Sequence, residues 1–297
     1  MNTLAILTLN FQAQAQRDIL LPGYLGNTIR GALGTTLSRT HCRKNTLACN
    51  SCDFSADCVY RQVFKMPDML PGFSSVPNPF VIKAPKDNKR RYTTGEMMGF
   101  SIVLFGRAIG WWREIAEAME NSFKGRFGGH MNAFKLTDIY DDDNNNIFCN
   151  GHFGDTPQIS VWSDETDETL PDVSAVGITF MTPTEIRHKD TLVIEPGFNL
   201  FINNLINRIS LIIDIYGDKD FTITYRLLGR KPYVSSNFAT ILTSIDQEKF
   251  YIEGIIGKLT FEGELSDYLP YLALGTKLHI GKKTTRGCGE YELDLLF

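Results

Sequence analysis

Four of the six cysteines lie close together, with the spacing C-x6-C-x2-C-x5-C. They are Cys42, Cys49, Cys52 and Cys58. Clustered thiolates suit the tetrahedral coordination of zinc, and in a cytosolic chain they bind metal more often than they form disulfides. The spacing is irregular for a zinc finger, so three outcomes stay open: a structural zinc ion, free thiols or an iron–sulfur cluster. A zinc ion here would hold together a long excursion of the chain.

A second candidate for chemistry is the loop Gly281–Gly289. Glycines allow backbone amides to approach a phosphate closely, while lysine, arginine and threonine supply charge and hydroxyl donors. The residues that would bind phosphate are Gly281, Lys282, Lys283, Thr284, Thr285, Arg286, Gly287 and Gly289. The same composition suits a flexible basic hairpin between a helix and a strand, so the loop alone does not decide between the two.

The charge distribution favours a polyanionic partner more than the net charge of −4 suggests. Residues 138–172 contain ten acidic residues and no lysine or arginine, and without them the chain has 30 basic against 24 acidic residues. The basic residues cluster at positions 83–91 and again at positions 277–286. Because most charge runs are only solvated faces, each cluster is weak evidence by itself for nucleic acid binding.

Several enzyme classes lack their sequence signatures. The chain has no His-Glu-x-x-His, no Gly-x-Ser-x-Gly and no Gly-x-Gly-x-x-Gly after a strand, and the glycines near Lys282 do not have P-loop spacing. The longest apolar runs are far shorter than the ~20 residues that cross a bilayer, and the start resembles a strand rather than a leader peptide. We therefore expect a cytoplasmic protein with no membrane partner.

Hydrophobic periodicity predicts the elements that must position these residues. In the first half, alternation from Ala5 to Phe11 predicts a strand, and Leu25, Ile29, Leu33 and Leu37 predict a helix. A strand at 100–105, a helix with Trp112, Ile115, Ala116 and Met119 on one face, a loop with glycine and basic residues and a strand at 134–139 follow.

The second half repeats this order. A strand at 176–180 precedes a helix whose apolar stripe runs from Phe198 to Tyr216, and residues 250–262 predict a strand with a bulge at its glycines. A short helix is predicted to begin at Ser266 and to stop at Gly275, before the loop Gly281–Gly289 and a last strand from Tyr291 to Phe297.

Both halves therefore fit the split βαβ unit, in which helices cover one face of an antiparallel sheet. The predicted fold class is α+β, with tandem ferredoxin-like (RRM-like) domains. The expected boundaries are an N-terminal domain at 1–140 with a Cys-rich insertion at 41–60, an acidic linker at 141–172 and a C-terminal domain at 173–297.

The segment Leu278–Leu293 resembles the C-terminal glycine-rich motif of the CRISPR-associated endoribonucleases of the RAMP superfamily that process precursor crRNA. Other segments are similar to landmarks of that family and occur in its order: Leu21–Gly34, the cysteine cluster with Cys58-Val-Tyr60, Phe180–Glu185 and Gly257–Gly263. These matches span nearly the whole chain. The resemblance implies recognition of CRISPR repeat RNA and one cut per repeat.

The chemistry that the resemblance implies is metal-independent transesterification. A base removes the proton of the ribose 2′-OH, the alkoxide attacks the adjacent phosphorus, and an acid protonates the departing 5′-oxygen. The products are a 2′,3′-cyclic phosphate and a 5′-hydroxyl. Histidine suits the base or acid, and lysine or arginine can neutralise charge on the phosphorane. No cofactor is expected for catalysis.

Family members with a mapped site have a histidine near the end of the first helix, with tyrosine and lysine nearby. The resemblance therefore points to His41, with Tyr24 and Lys44 as helpers. His279, in the glycine-rich motif, is the rival, and its structural alternative is a residue that shapes the loop. His130 ranks third, while His152 and His188 are best explained as exposed loop residues.

Two further functions compete with this enzyme. One is a non-catalytic RAMP subunit that binds crRNA in a CRISPR effector complex, whose proteins would then be partners. The other is a general RNA-binding protein with a zinc module. The placement of His41 after the first helix and the complete glycine-rich loop favour the processing nuclease.

Overall fold

The computed structural model describes residues 2–44, 49–66, 76–87, 89–164, 173–218, 232, 234–247 and 250–296. They form two compact units, one of Ile6–Ser160 and one of Met1–Ala5 with Val161–Phe297. Residues 45–48 of the predicted insertion and 165–172 of the predicted acidic linker lie outside the described residues, as does Phe297 of the last strand.

The described helices are α1 (Leu25–His41), α2 (Trp112–Lys124), α3 (Phe198–Tyr216) and α4 (Leu269–Leu278). The described strands are β1 (Thr3–Ala15), β2 (Ile19–Leu20), β3 (Phe80–Lys83), β4 (Arg91–Tyr92), β5 (Met97–Phe105), β6 (Arg126–Phe127), β7 (His130–Met131), β8 (Phe134–Tyr140), β9 (Asn146–Cys149), β10 (His152–Phe153), β11 (Ser160–Ser163), β12 (Ala175–Thr184), β13 (Arg187–His188), β14 (Thr191–Leu192), β15 (Val234–Gln247), β16 (Phe250–Gly263) and β17 (Tyr291–Leu296). Short 3-10 or π turns occupy Cys49–Ser51, Tyr60–Phe64, Gly106–Trp111, Ser266–Tyr268 and Thr284–Arg286.

The sheet of the first unit has the strand order β10-β9-β8-β1-β5-β3, and β11 also pairs with β1. Its four central strands follow the ferredoxin-like arrangement, with β1 between β8 and β5 and antiparallel to both. The predicted apolar stripes are confirmed: Leu25, Ile29, Leu33 and Leu37 of α1 are buried, as are Trp112, Ile115, Ala116 and Met119 of α2.

The second unit repeats the arrangement, with the order β15-β16-β12-β17. The stripe of α3 is buried from Phe198 to Tyr216, as the periodicity predicts. A register shift lies where the glycines of β16 indicate a bulge, between the pairs Phe180–Gly257 and Thr184–Ile255. The additional residues are on β12, so it is β12 that bulges.

The prediction that Gly275 ends the last helix is wrong, because α4 continues to Leu278. A Cβ at Gly275 would lie 2.1 Å from the Tyr291 hydroxyl and 2.7 Å from Leu205. Glycine at this position therefore permits α4 to pack closely on β17 and α3. Ser266 begins a 3-10 turn, and Tyr268 is the N-cap residue of α4.

The acidic segment is folded into the first unit as far as Ser160, and β9 and β10 extend its sheet. The Asp141 carboxylate, which is fully buried, accepts backbone N–H bonds from Asp143, Asn145 and Gln158. Burial alone would raise the pKa of Asp141, but these hydrogen bonds outweigh it and lower the pKa. This part of the segment thus differs from the expected linker, since it belongs to the first unit and Asp141 stabilises the turn between β8 and β9.

In the described part of the chain, no helix combines the length and apolar character needed to span a membrane.

Candidate functional site

The C-terminal end of α1 brings His41 to the Cys-rich segment. Inside the helix, a Cβ at Gly34 would lie 2.5 Å from the ring of Phe64, so the π turn Tyr60–Phe64 packs directly on α1. His41 is the last residue of the helix and is half-buried. The described residues of the insertion are therefore anchored beside this histidine.

His41 borders a cavity of about 420 Å³ in the first unit. Arg43, Lys44 and Arg61 also line the cavity, together with Phe54, whose side chain is 40% exposed. The Arg43 guanidinium lies 5.0 Å from the centre of the Phe54 ring, within the range of a cation–π contact. The cavity thus combines an imidazole, three cations and an exposed aromatic ring, which suits an anionic, aromatic ligand.

Lys44, which lines this cavity, forms an exposed ion pair with Asp53. Its ammonium lies 2.6 Å from the Asp53 carboxylate, and the side chains are 41% and 80% exposed. The hydrogen bond and charge of Asp53 raise the pKa of Lys44. Exposed pairs are weak, so a phosphate can compete with Asp53 for this ammonium.

The four clustered cysteines line the same cavity as His41. Burial is the main cause that raises the pKa of the Cys49 thiol, and the neighbouring thiols of Cys58, Cys42 and Cys52 raise it further. However, the described histidine, cysteine and acidic side chains include no group of three or more placed to hold a metal ion. The thiols are gathered around one space without forming a ready-made ligand set.

The structure separates Tyr24 from His41. Tyr24 is the N-cap residue of α1 and is 4% exposed, whereas His41 ends the same 17-residue helix. At 1.5 Å per residue, the two residues are about 25 Å apart along the helix axis. The expectation that Tyr24 assists His41 at one reaction centre is therefore not compatible with the fold.

In the second unit, the glycine-rich loop has a backbone that requires glycine at two positions. Gly281 and Gly289 have φ values of +78° and +77°. A Cβ at Gly281 would lie 2.5 Å from the Glu185 carbonyl oxygen, and one at Gly289 would lie 1.8 Å from that of Ile280. Lys283 is also left-handed, at φ +62°. The backbone conformation of the loop therefore depends on glycine at these two positions.

Arg208 of α3 stabilises this loop through side-chain hydrogen bonds. Its guanidinium donates to the carbonyl oxygens of Leu278 and His279 and, at 2.8 Å, to the hydroxyl of Thr284. Burial lowers the pKa of Arg208 to about 10. The carbonyls at the C-terminal end of α4 compensate for this buried charge.

His279 lies inside the second unit. Its residue is fully buried, and its ring Nδ1 is 3.1 Å from the Cys288 carbonyl oxygen across the loop. An imidazole in this position holds the two ends of the loop together and has no surface to offer a substrate. The geometry therefore favours the loop-shaping role that we considered as its structural alternative.

Glu185 is the centre of the charge arrangement around the loop. Its carboxylate, only 7% exposed, lies 2.9 Å from the Lys283 ammonium, 2.6 Å from the Arg187 guanidinium and 3.8 Å from the Lys282 ammonium. Burial alone would raise the pKa of Glu185, but the hydrogen bonds and charges of Arg187 and Lys283 lower it below its ordinary value.

Sequence reasoning missed Glu185 and Arg208. Glu185 ends the segment Phe180–Glu185, whose residue types do not indicate a partner, and 98 residues separate it from Lys283. Arg208 lies on a helix whose evident signal is its apolar stripe. The available signal for Glu185 was a lone acid close to a strand end, which has no meaning until the fold places it under the basic loop.

The expected phosphate-binding residues differ widely in exposure. Lys282 is exposed; Gly281, Lys283, Thr285 and Arg286 are half-buried; Thr284, Gly287 and Gly289 are buried. The Arg286 guanidinium lies 4.3 Å from the centre of the Phe250 ring, and burial lowers the pKa of Arg286. Lys282 and the outer atoms of Lys283, Thr285 and Arg286 are thus the accessible part of the loop.

The remaining histidines lie elsewhere on the two units. His130 is in β7, where its Nε2 is 3.0 Å from the Leu20 carbonyl oxygen. His152 in β10 and His188 in β13 are exposed. Of the five histidines, His41 is the one that borders the cavity described above.

Two family models match the chain, one for each half. A model described as the AF_1859 N-terminal domain matches residues 4–162, and the model of the CRISPR-associated endoribonuclease Cas6 matches residues 178–291. None of the curated proteins matches this sequence.

Solved structures of Cas6 proteins share the whole fold at low sequence identity. A Cas6 product complex has a TM-score of 0.60 and 14% identity over 99% of this chain and 100% of that chain. Thermus thermophilus Cas6 has a TM-score of 0.58 and 13% identity over 99% of both chains. A partial Cas6-RT-Cas1–Cas2 complex has a TM-score of 0.60 and 12% identity over all of this chain and 47% of that chain.

Both units have the ferredoxin-like strand order, and each half of the chain matches one of the two family models. The C-terminal part of the chain, residues 178–291, matches the family model of the CRISPR-associated endoribonuclease Cas6, and the solved Cas6 structures share the fold of this chain.

Proposed function

We propose that this protein cuts precursor crRNA within CRISPR repeats, with His41 at the reaction centre. The observation that supports this choice most directly is that His41 borders an open cavity rich in cations, whereas His279 is fully buried. A general acid or base must reach its proton within hydrogen-bond distance, and the accessible His41 imidazole meets this condition without a rearrangement of the fold.

The proposed step is an internal displacement. His41 accepts the proton of a ribose 2′-OH, the 2′-oxygen bonds to the adjacent phosphorus, and the bond between phosphorus and the 5′-oxygen breaks. The departing 5′-oxygen takes up a proton from solvent water, and the protonated His41 returns its proton to solvent, so the products carry a 2′,3′-cyclic phosphate and a 5′-hydroxyl. Lys44, released from Asp53, and Arg43 would neutralise the phosphorane, since both line the cavity.

In the same proposal, the glycine-rich loop binds the phosphate backbone through Lys282 and the accessible atoms of Lys283, Thr285 and Arg286. Thr284, Gly287 and Gly289 contribute by shaping the loop. CRISPR repeat RNA is the proposed substrate, in keeping with the Cas6 product complex among the similar structures. Proteins of a CRISPR complex are further proposed partners, in keeping with the similar chain in the Cas6-RT-Cas1–Cas2 complex.

Incubation of the purified protein with its own repeat RNA in EDTA tests this chemistry. We expect a single cut, and a 2′,3′-cyclic phosphate on the upstream product, because the nucleophile is internal to the RNA. Cleavage that stops in EDTA and returns only with Mg²⁺ would contradict the mechanism. Tight binding of the repeat without a cut would favour the alternative, a non-catalytic crRNA-binding subunit.

A structural zinc ion on Cys42, Cys49, Cys52 and Cys58 is a separate part of the proposal. Its support is that all four thiols border one cavity, although the described side chains include no group of three or more already placed to hold a metal ion. We expect one zinc per chain by elemental analysis and a lower melting temperature after strong chelation. Freshly purified protein without stoichiometric metal would show that the thiols are free.

A further inference from the structure

We propose that Glu185 is a positioning residue that fixes the cations of the glycine-rich loop for binding to RNA phosphates. This inference rests on the proposed function, in which the loop contacts the RNA backbone. Glu185 lies under a basic surface, and a negative charge at this place would by simple repulsion weaken the binding of an anion. A positioning role explains why an acidic residue is compatible with RNA binding.

The carboxylate is held where it can orient two elements at once. One oxygen accepts a hydrogen bond from the Arg187 guanidinium at 2.6 Å, and the other accepts one from the Lys283 ammonium at 2.9 Å. Because the residue is only 7% exposed, water cannot replace these partners easily. The side chain thus links β13 to the loop.

The backbones of the two segments are also locked together. Gly281 packs on the Glu185 carbonyl, and the Gly289 N–H donates to the Pro183 carbonyl at 3.1 Å. Lys283 adopts a left-handed conformation, which directs its side chain to the carboxylate instead of leaving it free. The loop and the Glu185 carboxylate are therefore held together, and their contact determines the position of the Lys283 ammonium.

The cations close to the Glu185 carboxylate outnumber it, and Asp190 and Glu253 also act on Arg187. One carboxylate faces three cations, and the side chains of Lys282, Lys283 and Arg187 remain 63%, 34% and 36% exposed. A lysine that is already ordered loses less side-chain entropy when it binds a phosphate than a freely moving one. Glu185 would therefore strengthen RNA binding through Lys283 despite its negative charge.

The sign of the effect separates positioning from simple repulsion. If Glu185 acted only as a negative charge near RNA, Glu185→Gln would tighten binding. If it positions Lys283, the same change weakens binding, and we expect a 3–10-fold higher Kd for repeat RNA with a 2′-deoxy nucleotide at the cut. A matched control is Asp294→Asn in the second unit. This change also removes one negative charge from an ion pair, the exposed pair of Asp294 with Lys258 at 3.5 Å.

Binding by Glu185→Gln that is equal to or tighter than that of the wild type would overturn the proposal. So would an equal loss in Asp294→Asn, because the effect would then not belong to the loop. If wild-type protein does not bind repeat RNA, or if Lys282→Ala binds it unchanged, the proposed function itself fails. These outcomes are distinguishable from a failure at Glu185.

A double-mutant cycle with Lys283→Met shows whether Glu185 acts through this lysine. We expect Glu185→Gln to change the Kd by less than 2-fold in the Lys283→Met background. We also expect the slope of log K against log salt to fall in Glu185→Gln, because one phosphate contact is lost. The same loss in both backgrounds would overturn the inference. Should Glu185→Gln fail to fold, Glu185→Asp, with an expected intermediate affinity, replaces it.

Discussion

The cavity beside His41 and the glycine-rich loop are built in opposite ways. The cavity is open, and its polar groups include an exposed ion pair between Lys44 and Asp53. The loop is fixed by left-handed backbone, by buried Arg208 contacts and by the Glu185 carboxylate. The difference indicates that groups which must exchange protons and partners lie in an adaptable space, whereas groups that only hold a charge in place lie on a rigid one.

This contrast has a consequence for mutagenesis. The half-buried His41 side chain ends α1 and borders open space, so we expect its removal to have little effect on the fold. A residue of the loop cannot be replaced without such an effect, because its backbone and buried contacts determine the conformation that binds phosphate. Substitutions should therefore separate rate from affinity and stability.

The largest expected effect is at His41. We expect His41→Ala to lower the rate of single-turnover cleavage of repeat RNA by ~10²–10⁴-fold, the usual contribution of a positioned acid or base. The Kd for the RNA should be unchanged. His279→Ala is the paired control, and it should lower the melting temperature and weaken RNA binding because the buried ring is a support of the loop.

Rapid quench kinetics and filter binding measure the two quantities. If His41→Ala cuts normally while His279→Ala is inactive but binds RNA, the reaction centre lies at the loop and the comparison is reversed. If both variants cut normally, the catalytic group lies elsewhere, and His130 is the next residue to replace.

Much of the fold was predictable because its signals are local. The apolar stripes of α1, α2 and α3 and the repeated element order lead directly to two ferredoxin-like units. The errors concern contacts between distant segments. Gly275 has the composition of a helix stop, but Tyr291 and Leu205 explain it through close packing.

The candidate site was less predictable for the same reason. The sequence identified the basic loop but not its buried partner Glu185, which comes from another element. It placed Tyr24 with His41 because family members have a tyrosine near the histidine, whereas helix geometry keeps the two residues apart. Burial of His279 is a tertiary property that its sequence neighbours do not reveal.

A smaller effect is expected where the backbone alone is changed. Gly289→Ala would force a Cβ against the Ile280 carbonyl at φ +77°, and we expect it to destabilise the protein by about 1–3 kcal/mol and to weaken RNA binding. Gly31→Ala on α1 is the matched control. No atom lies within 4 Å of a Cβ there, so this change should stabilise α1 by about 0.5–1 kcal/mol.

Thermal unfolding and RNA binding of the two variants test this prediction. Equal melting temperatures for Gly289→Ala and the wild type would show that the loop is more adaptable than its backbone indicates. The contrast with the cavity would then have to rest on Glu185 alone.

The smallest expected effect is a pH dependence of loop stability. Arg187 and Lys283 lower the pKa of Glu185 below the ordinary value of 4.5, although burial opposes them. A carboxyl whose folded-state pKa is lowered contributes stability above its unfolded pKa and loses it as the pH falls through the folded pKa. We therefore expect protection of the loop amides to be constant near pH 6 and to decrease once the pH falls below about 4.5.

Amide hydrogen exchange of the peptide that contains residues 281–289 measures this effect, with Glu185→Gln at the same pH as the reference. Because glutamine does not titrate, the difference in protection between wild type and variant should be largest near pH 6 and should shrink towards pH 3. The intrinsic exchange rate cancels in this difference, and so does the titration of other acids that both proteins share. A difference that stays constant over this range would mean that Glu185 does not bear the charge that holds Lys283, and that the rigidity of the loop comes from its glycines and Arg208 instead.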